Sequence, residues 1–275
     1  MNTVLAIFYG AIQGLTEFLP VSSSAHLSLA QNFFGFEDIA SSNLTFDVML
    51  HLGTLFAVFT VYFKDIVRLI PAFFTMTGKL FKGKFRLKDF SSDERFIIFV
   101  IIATLPLVFA FFVKDGIESL THYPKIIGII LIVNGFILLL SDRYGNGKKQ
   151  IGQTKPGDAL VVGLCQMLAL LPGISRSGAT ISGGKFMGFD REYAVGFSFI
   201  LSIPAIIGGN VFSLGEMIKE PLSEQEIFPV ICGMFSAFVV GICAMKLLQY
   251  LSKKSNFKLF AYYCFVIGTL SVIFG

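Results

Sequence analysis

Two apolar stretches of this chain, 1–32 and 157–188, are each broken midway by a proline followed by hydroxyl-bearing and ionisable residues. The first break reads Pro20-Val-Ser-Ser-Ser-Ala-His26 and the second Pro172-Gly-Ile-Ser-Arg-Ser177. A helix surrounded by lipid does not carry Glu17, His26, Arg176 and Lys185 at these positions, because ionisable groups are expensive in hydrocarbon. A broken or re-entrant helical hairpin packed inside protein accommodates them. Six further segments, 44–63, 95–113, 124–141, 193–212, 227–247 and 257–274, match the roughly 20 residues a helix needs to cross a bilayer. With 54% hydrophobic and 15% charged residues, the chain lacks the polar surface a soluble domain needs. The expected fold class is an all-α integral membrane protein with six transmembrane helices and two re-entrant hairpins. Residues 3–20 read alternatively as an ordinary span, which would place the N-terminus inside.

Orientation follows from the basic residues. Lys64, Arg68, Lys79, Lys82, Lys84, Arg86, Lys88 and Arg95 lie between the first and second spans. Arg143, Lys148, Lys149 and Lys155 follow the third, and Lys246, Lys253, Lys254 and Lys258 accompany the fifth-to-sixth connection. Lys/Arg-rich loops are cytoplasmic, so both termini are expected outside and the first hairpin enters from the outer face. The second hairpin then enters from the cytoplasm. Each half, 1–141 and 157–275, holds one hairpin and three spans. An odd number of spans inverts one half relative to the other, an arrangement that places polar sites near the midplane. Lys64 is the first cationic side chain, so a cleaved secretory signal is not expected.

The net charge of +4 is confined to loops and forms no nucleic-acid face, and no Gly-rich nucleotide loop or zinc-type spacing occurs. Cys165, Cys232, Cys243 and Cys264 lie in apolar sequence and read as small core residues.

The chemistry concentrates at the two breaks. Gln13 and Glu17 are four residues apart and share a helical face. A carboxylate and an amide oxygen there suit a hard divalent cation such as Mg²⁺, with Ca²⁺ as the second choice. Ser22, Ser23 and Ser24 can cap a restarted helix, and Ser23 with His26 one turn on can form a nucleophile–base pair. In the second break, Ser175 can cap a helix whose free N–H groups attract anions. Arg176 offers a planar fork that fits phosphate oxygens, and Ser177 and Thr180 add donors. Against these stand structural readings: Glu17 paired with Arg176 for charge balance alone, and a serine acting only as a cap. Lys185 is either a second anion contact or a side chain reaching the cytoplasmic interface. Asp47 and His51, four apart, line the site or sit at the interface. His122 and the acidic residues of 216–226 read as solvated loop. The set as a whole suits phosphoryl chemistry, in which positioning and charge neutralisation do most of the work.

Gln13-Gly-Leu-Thr-Glu-Phe-Leu-Pro-Val-Ser-Ser-Ser-Ala-His26 and Leu171-Pro-Gly-Ile-Ser-Arg-Ser-Gly-Ala-Thr180 resemble the two signature motifs of bacterial undecaprenyl-pyrophosphate phosphatases, the bacitracin resistance protein BacA family. The similarity extends along the chain through Phe46-Asp-Val-Met-Leu-His-Leu-Gly-Thr54. The resemblance implies hydrolysis of undecaprenyl pyrophosphate to undecaprenyl phosphate and inorganic phosphate. It also implies carrier recycling for the cell wall, bacitracin resistance, a divalent cation, and a plasma-membrane site open to the outer face. It assigns Gln13 and Glu17 to metal and catalysis, Ser23 to attack or pyrophosphate contact, and His26 to catalysis. Ser22, Ser175, Arg176, Ser177 and Thr180 fall to the pyrophosphate. Three positions depart from the family pattern: Gln13 where Glu is also common, Ala25 where Gly is common, and His51 where Gln is expected. The attacking group is Ser23, His26 or a water. Inverted repeats equally suit a polyprenyl-phosphate flippase or another transporter, which would release no phosphate. Membrane lipids are the expected surroundings, and a homodimer is compatible with this reading.

Overall fold

Where lipid replaces water the backbone must satisfy its own hydrogen bonds, and eleven α-helices do so among the described residues. The computed structural model describes residues 2–34, 44–84, 86–112, 116–117, 119–145, 147–217, 222–254 and 257–275. The helices are α1 (Thr3–Phe18), α2 (Ser23–Phe34), α3 (Leu44–Val61), α4 (Phe63–Phe81), α5 (Ser92–Thr104) and α6 (Pro124–Tyr144). They continue with α7 (Pro156–Leu168), α8 (Arg176–Phe186), α9 (Arg191–Met217), α10 (Glu224–Lys254) and α11 (Lys258–Phe274). The side chain of His122 and residues 218–221 of the acidic loop lie outside the described residues.

Among the described residues, four helices are long and apolar enough to cross a membrane: α3, α6, α9 and α10. The expected span 95–113 is not one α-helix. α5 ends at Thr104, and Leu105–Phe112 continues as a 3₁₀ stretch containing Pro106. Proline lacks an N–H and clashes with the carbonyl one turn back, so a regular helix cannot run through it. The segment 257–274 forms a 17-residue helix, α11, apolar but short.

The basic stretch after the first span departs further from expectation. Residues 63–81 form an amphipathic helix, not a loop. Phe63, Val67, Ile70, Phe74 and Phe81 make an exposed apolar stripe at helical spacing. The opposite side docks on α5. There Lys79 Nζ donates to Glu94 Oε2 at 2.7 Å and Thr75 Oγ1 donates to Oε1 at 2.8 Å. Glu94 also closes the capping box of α5 by accepting from the Ser91 N–H at 2.6 Å. Burial would raise the Glu94 carboxyl, but the hydrogen bond from Lys79, then those from Ser91 and Thr75, carry it down to about 2. A carboxyl lowered on folding contributes stability that is present above its unfolded value and lost as pH falls toward the folded one. The α4–α5 contact is therefore expected to weaken between roughly pH 4.5 and 2. Glu94→Gln should flatten that acid limb in thermal unfolding, and an unchanged limb would exclude Glu94 as its source.

The halves of the chain are packed through each other. α1 lies on α10 so closely that a Cβ at Gly10 would sit 2.1 Å from the Gly233 carbonyl oxygen, and one at Gly14 2.5 Å from that of Ala237. Small residues permit this approach where no water drives helices together. α11 packs on α6, and α3 on both α9 and α10. The largest buried cluster, with Phe18, Phe99, Leu138, Phe197 and Phe199 among its members, is built from both halves.

Candidate active site

The two proline breaks meet. α1 stops at Phe18 because Pro20 cannot continue the helix, and α2 restarts at Ser23 after a turn in which Ser22 adopts φ +73°. α7 stops at Leu168, and the chain turns through Gly173 at φ +112° before α8 begins. Only glycine takes such a φ without strain, and a Cβ there would strike Ile130 at 2.8 Å. The Gly173 N–H donates to Ser22 Oγ at 3.2 Å, and the hydroxyls of Ser175 and Ser177 donate to the Leu19 carbonyl at 3.4 and 3.2 Å. Asn134 of α6 ties both turns together: its Nδ2 donates to Pro20 O at 3.0 Å, and its Oδ1 accepts from the Ser175 N–H at 3.1 Å. Nothing in the sequence around Asn134 marks it, because its partners lie 114 and 41 residues away.

Glu17 is the hub. Arg176 Nη2 donates to its Oε1, forming an ion pair between the hairpins. Ser23 Oγ donates to its Oε2 at 2.8 Å, and Gln13 Nε2 donates to the same oxygen at 3.2 Å. A serine hydroxyl aimed at a carboxylate, with a guanidinium alongside, can surrender its proton while anionic charge develops nearby. Two polar atoms at this centre are buried without a hydrogen-bond partner among the described residues: Arg176 Nη1 and Gln13 Oε1. Such groups are costly unless something occupies them. Glu17, Ser22, Ser23, Ser175 and Arg176 all line one cavity of about 770 Å³. Its other walls are partly apolar, with Leu107 and Ile206 among them.

Several residues singled out by the sequence are used differently. Ser23 does not hydrogen-bond His26. The Ser22 carbonyl accepts from His26 Nδ1 at 2.7 Å, so Nδ1 carries the hydrogen, and Nε2 accepts from the Tyr263 hydroxyl at 2.8 Å. The two rings stack with centroids 5.5 Å apart, and His26 is not among the residues lining the cavity. Ser175 caps α8, its Oγ accepting from the Gly178 N–H at 3.2 Å. Thr180 is turned toward α9, its hydroxyl 2.6 Å from that of Ser198, and is buried. Lys185 is neither an anion contact nor a side chain reaching the interface. It is fully buried and ion-paired with Asp142, which also accepts from the Phe257 N–H. Its Nζ sits 4.9 Å from the Phe257 ring centroid. Nine residues of helix separate it from Arg176, about 14 Å along the axis. Asp47 and His51 line the cavity, an outcome the sequence left open, and Asn210 of α9, unmarked in the sequence, lines it too.

Comparison with known proteins agrees with this geometry. Residues 6–270 match the family model described as bacitracin resistance protein BacA. An undecaprenyl-diphosphatase of Alkaliphilus metalliredigens is 39% identical over 100% of this chain and 99% of its own length. One of Methanobrevibacter smithii is 42% identical over 98% of this chain and 96% of its own. A protein named undecaprenyl-diphosphatase 2, from Bacillus thuringiensis, is 36% identical with 98% and 96% covered. Two proline-broken hairpins meeting at a Glu–Ser–Arg centre, inside a match that spans nearly the whole sequence, place this membrane protein in the bacitracin resistance protein BacA family.

Proposed function

We propose that this protein hydrolyses undecaprenyl pyrophosphate to undecaprenyl phosphate and inorganic phosphate. The observation that carries the reading is the Glu17–Ser23–Arg176 cluster in a cavity with both polar and apolar walls. Full-length relatives named undecaprenyl-diphosphatase support it. In the reaction proposed, Ser23 Oγ bonds to the terminal phosphorus as its proton passes to Glu17. The bond from that phosphorus to the bridging oxygen breaks, and undecaprenyl phosphate leaves. A water then attacks the phosphoserine, releases inorganic phosphate and restores Ser23. Arg176 faces the phosphoryl oxygens throughout, and Ser22 and Ser175 border the same space.

A divalent cation belongs to this proposal. Gln13 and Glu17 would hold it: they offer hard oxygens, and the buried Gln13 Oε1 has no partner among the described residues. When bound, the ion neutralises phosphate charge. Phosphate release from undecaprenyl pyrophosphate by the purified protein is expected to stop with chelator and return with Mg²⁺. Absence of release under all conditions would overturn the assignment.

His26 enters the proposal as a positioning residue, holding the Ser22 turn through its carbonyl. Tyr263→Phe and His26→Asn are expected to cost no more than about tenfold in turnover, the scale of one neutral hydrogen bond. Ser23→Ala should cost about 10³-fold or more, as loss of a nucleophile does. Phosphate trapped on His26 in place of Ser23 would reverse these roles.

We also propose six spans with two re-entrant hairpins in an inverted repeat, halves 1–141 and 157–275. The helices α1, α2, α7 and α8 have 16, 12, 13 and 11 residues. At about 1.5 Å per residue each falls short of a hydrocarbon core of about 30 Å. Helix pairing also supports the repeat: exchanging the halves turns α1 on α10 into α7 on α5, and α3 on α10 into α9 on α5, and all four pairs occur. The charge distribution then puts both termini outside and the cavity open to the outer face.

A further inference from the structure

We propose that His51 and Asn210 form a second phosphate subsite, holding the lipid-proximal phosphate while Ser23 and Arg176 hold the terminal one. This rests on the diphosphatase reading above. The cavity takes its reactive groups from the hairpins, but α3 and α9 also line it, and each brings one polar side chain whose hydrogen-bonding capacity is unused. On α9, Asn210 Nδ2 is buried and has no hydrogen-bond partner among the described residues. A donor left unmade in that position is a standing cost that a ligand acceptor removes. On α3, the Asp47 carbonyl accepts from His51 Nδ1 at 2.9 Å, which fixes the hydrogen on Nδ1 and leaves Nε2 without a bond among the described residues. The Asp47 carboxylate lies 3.7 Å from the same ring. Glu17 and Arg176, on the hairpins, are the other charged groups facing this space.

The depth of the two residues agrees. α3 packs against α9. His51 is seven residues in from the start of α3 at Leu44, and Asn210 seven from the end of α9 at Met217. Each therefore sits about 10 Å along its helix from the end that frames the cavity. The unused donors are Arg176 Nη1 on the hairpin side, Asn210 Nδ2 on the span side, and His51 Nε2 once protonated. Three donors on two walls suit an anion with two phosphoryl groups better than a single orthophosphate. The subsite would make the enzyme select diphosphate over monophosphate, so that the product, which has lost one of the two contacts, leaves.

The test uses the full chain in detergent, with inorganic pyrophosphate and orthophosphate as probes. Wild type is expected to bind pyrophosphate at least tenfold more tightly than orthophosphate, read by calorimetry or thermal shift. Asn210→Ala and His51→Ala should each weaken pyrophosphate by about 10-fold or more, the scale of a hydrogen bond to a charged group, and leave orthophosphate nearly unchanged. Asn210→Asp, which puts an anion where the donor stood, should weaken pyrophosphate further, and Asn210→Gln should restore part of the binding in a chain that folds as wild type. In turnover, KM for the prenyl diphosphate should rise more than kcat falls. Equal losses for both probes, or no loss for either variant, would overturn the subsite. Because the binding arm needs no turnover, failure of the diphosphatase reading would appear separately, as pyrophosphate binding without phosphate release.

Discussion

Arg176→Ala is expected to lower phosphate release by about 10³-fold, the scale on which an arginine meeting transferring phosphoryl charge contributes. Arg176→Lys should recover little of this, because an ammonium is a point charge and cannot hold a carboxylate and a phosphate with one planar fork. The rival account is that Arg176 serves only to neutralise Glu17, with which it is ion-paired. The two accounts separate in the double variant. If pairing were the whole role, Glu17→Gln with Arg176→Met would fold and turn over much as Glu17→Gln alone does. If Arg176 meets phosphate through the Nη1 that has no partner among the described residues, the double variant stays far below the single one. Steady-state phosphate release and substrate affinity, measured on all four proteins, decide it.

The second large effect lies away from the chemistry. Asp142→Ala is expected to destabilise the protein by about 3–5 kcal/mol, since removing one partner strands a buried charge. Here the stranded charge is Lys185, whose side chain is fully buried, with Arg191 3.9 Å from the same carboxylate. The Phe257 N–H loses its acceptor as well. Asp142→Leu with Lys185→Met replaces the pair by apolar side chains and should be far less damaging than either single change. Unfolding in detergent across the cycle measures this. A mild Asp142→Ala would mean that the pair contributes little and that water reaches it.

The sequence made the hairpins legible because proline, serine and charge inside apolar sequence have few physical explanations in a bilayer. The Glu17 and Arg176 sides of the centre were legible for the same reason. What it hid falls into two kinds. Partners remote in sequence are invisible locally: Asp142 for Lys185, Tyr263 for His26, Ser198 for Thr180, and Asn210 across the cavity. The helix of residues 63–81 was hidden because its cations, at Lys64, Arg68 and Lys79, mask an apolar stripe at helical spacing. Pro71 sits within that helix.

The seating of α1 against α10 sets a timetable for biosynthesis. Gly10 and Gly14 are shaped for a backbone that lies more than two hundred residues downstream. A ribosome reaches that surface only after most of the chain has left it. Until Glu224–Lys254 is inserted, α1 lacks the helix against which its glycines are seated. A chain halted before Glu224 should leave Thr3–Phe34 open to protease in isolated membranes, and one halted after Lys254 should protect it.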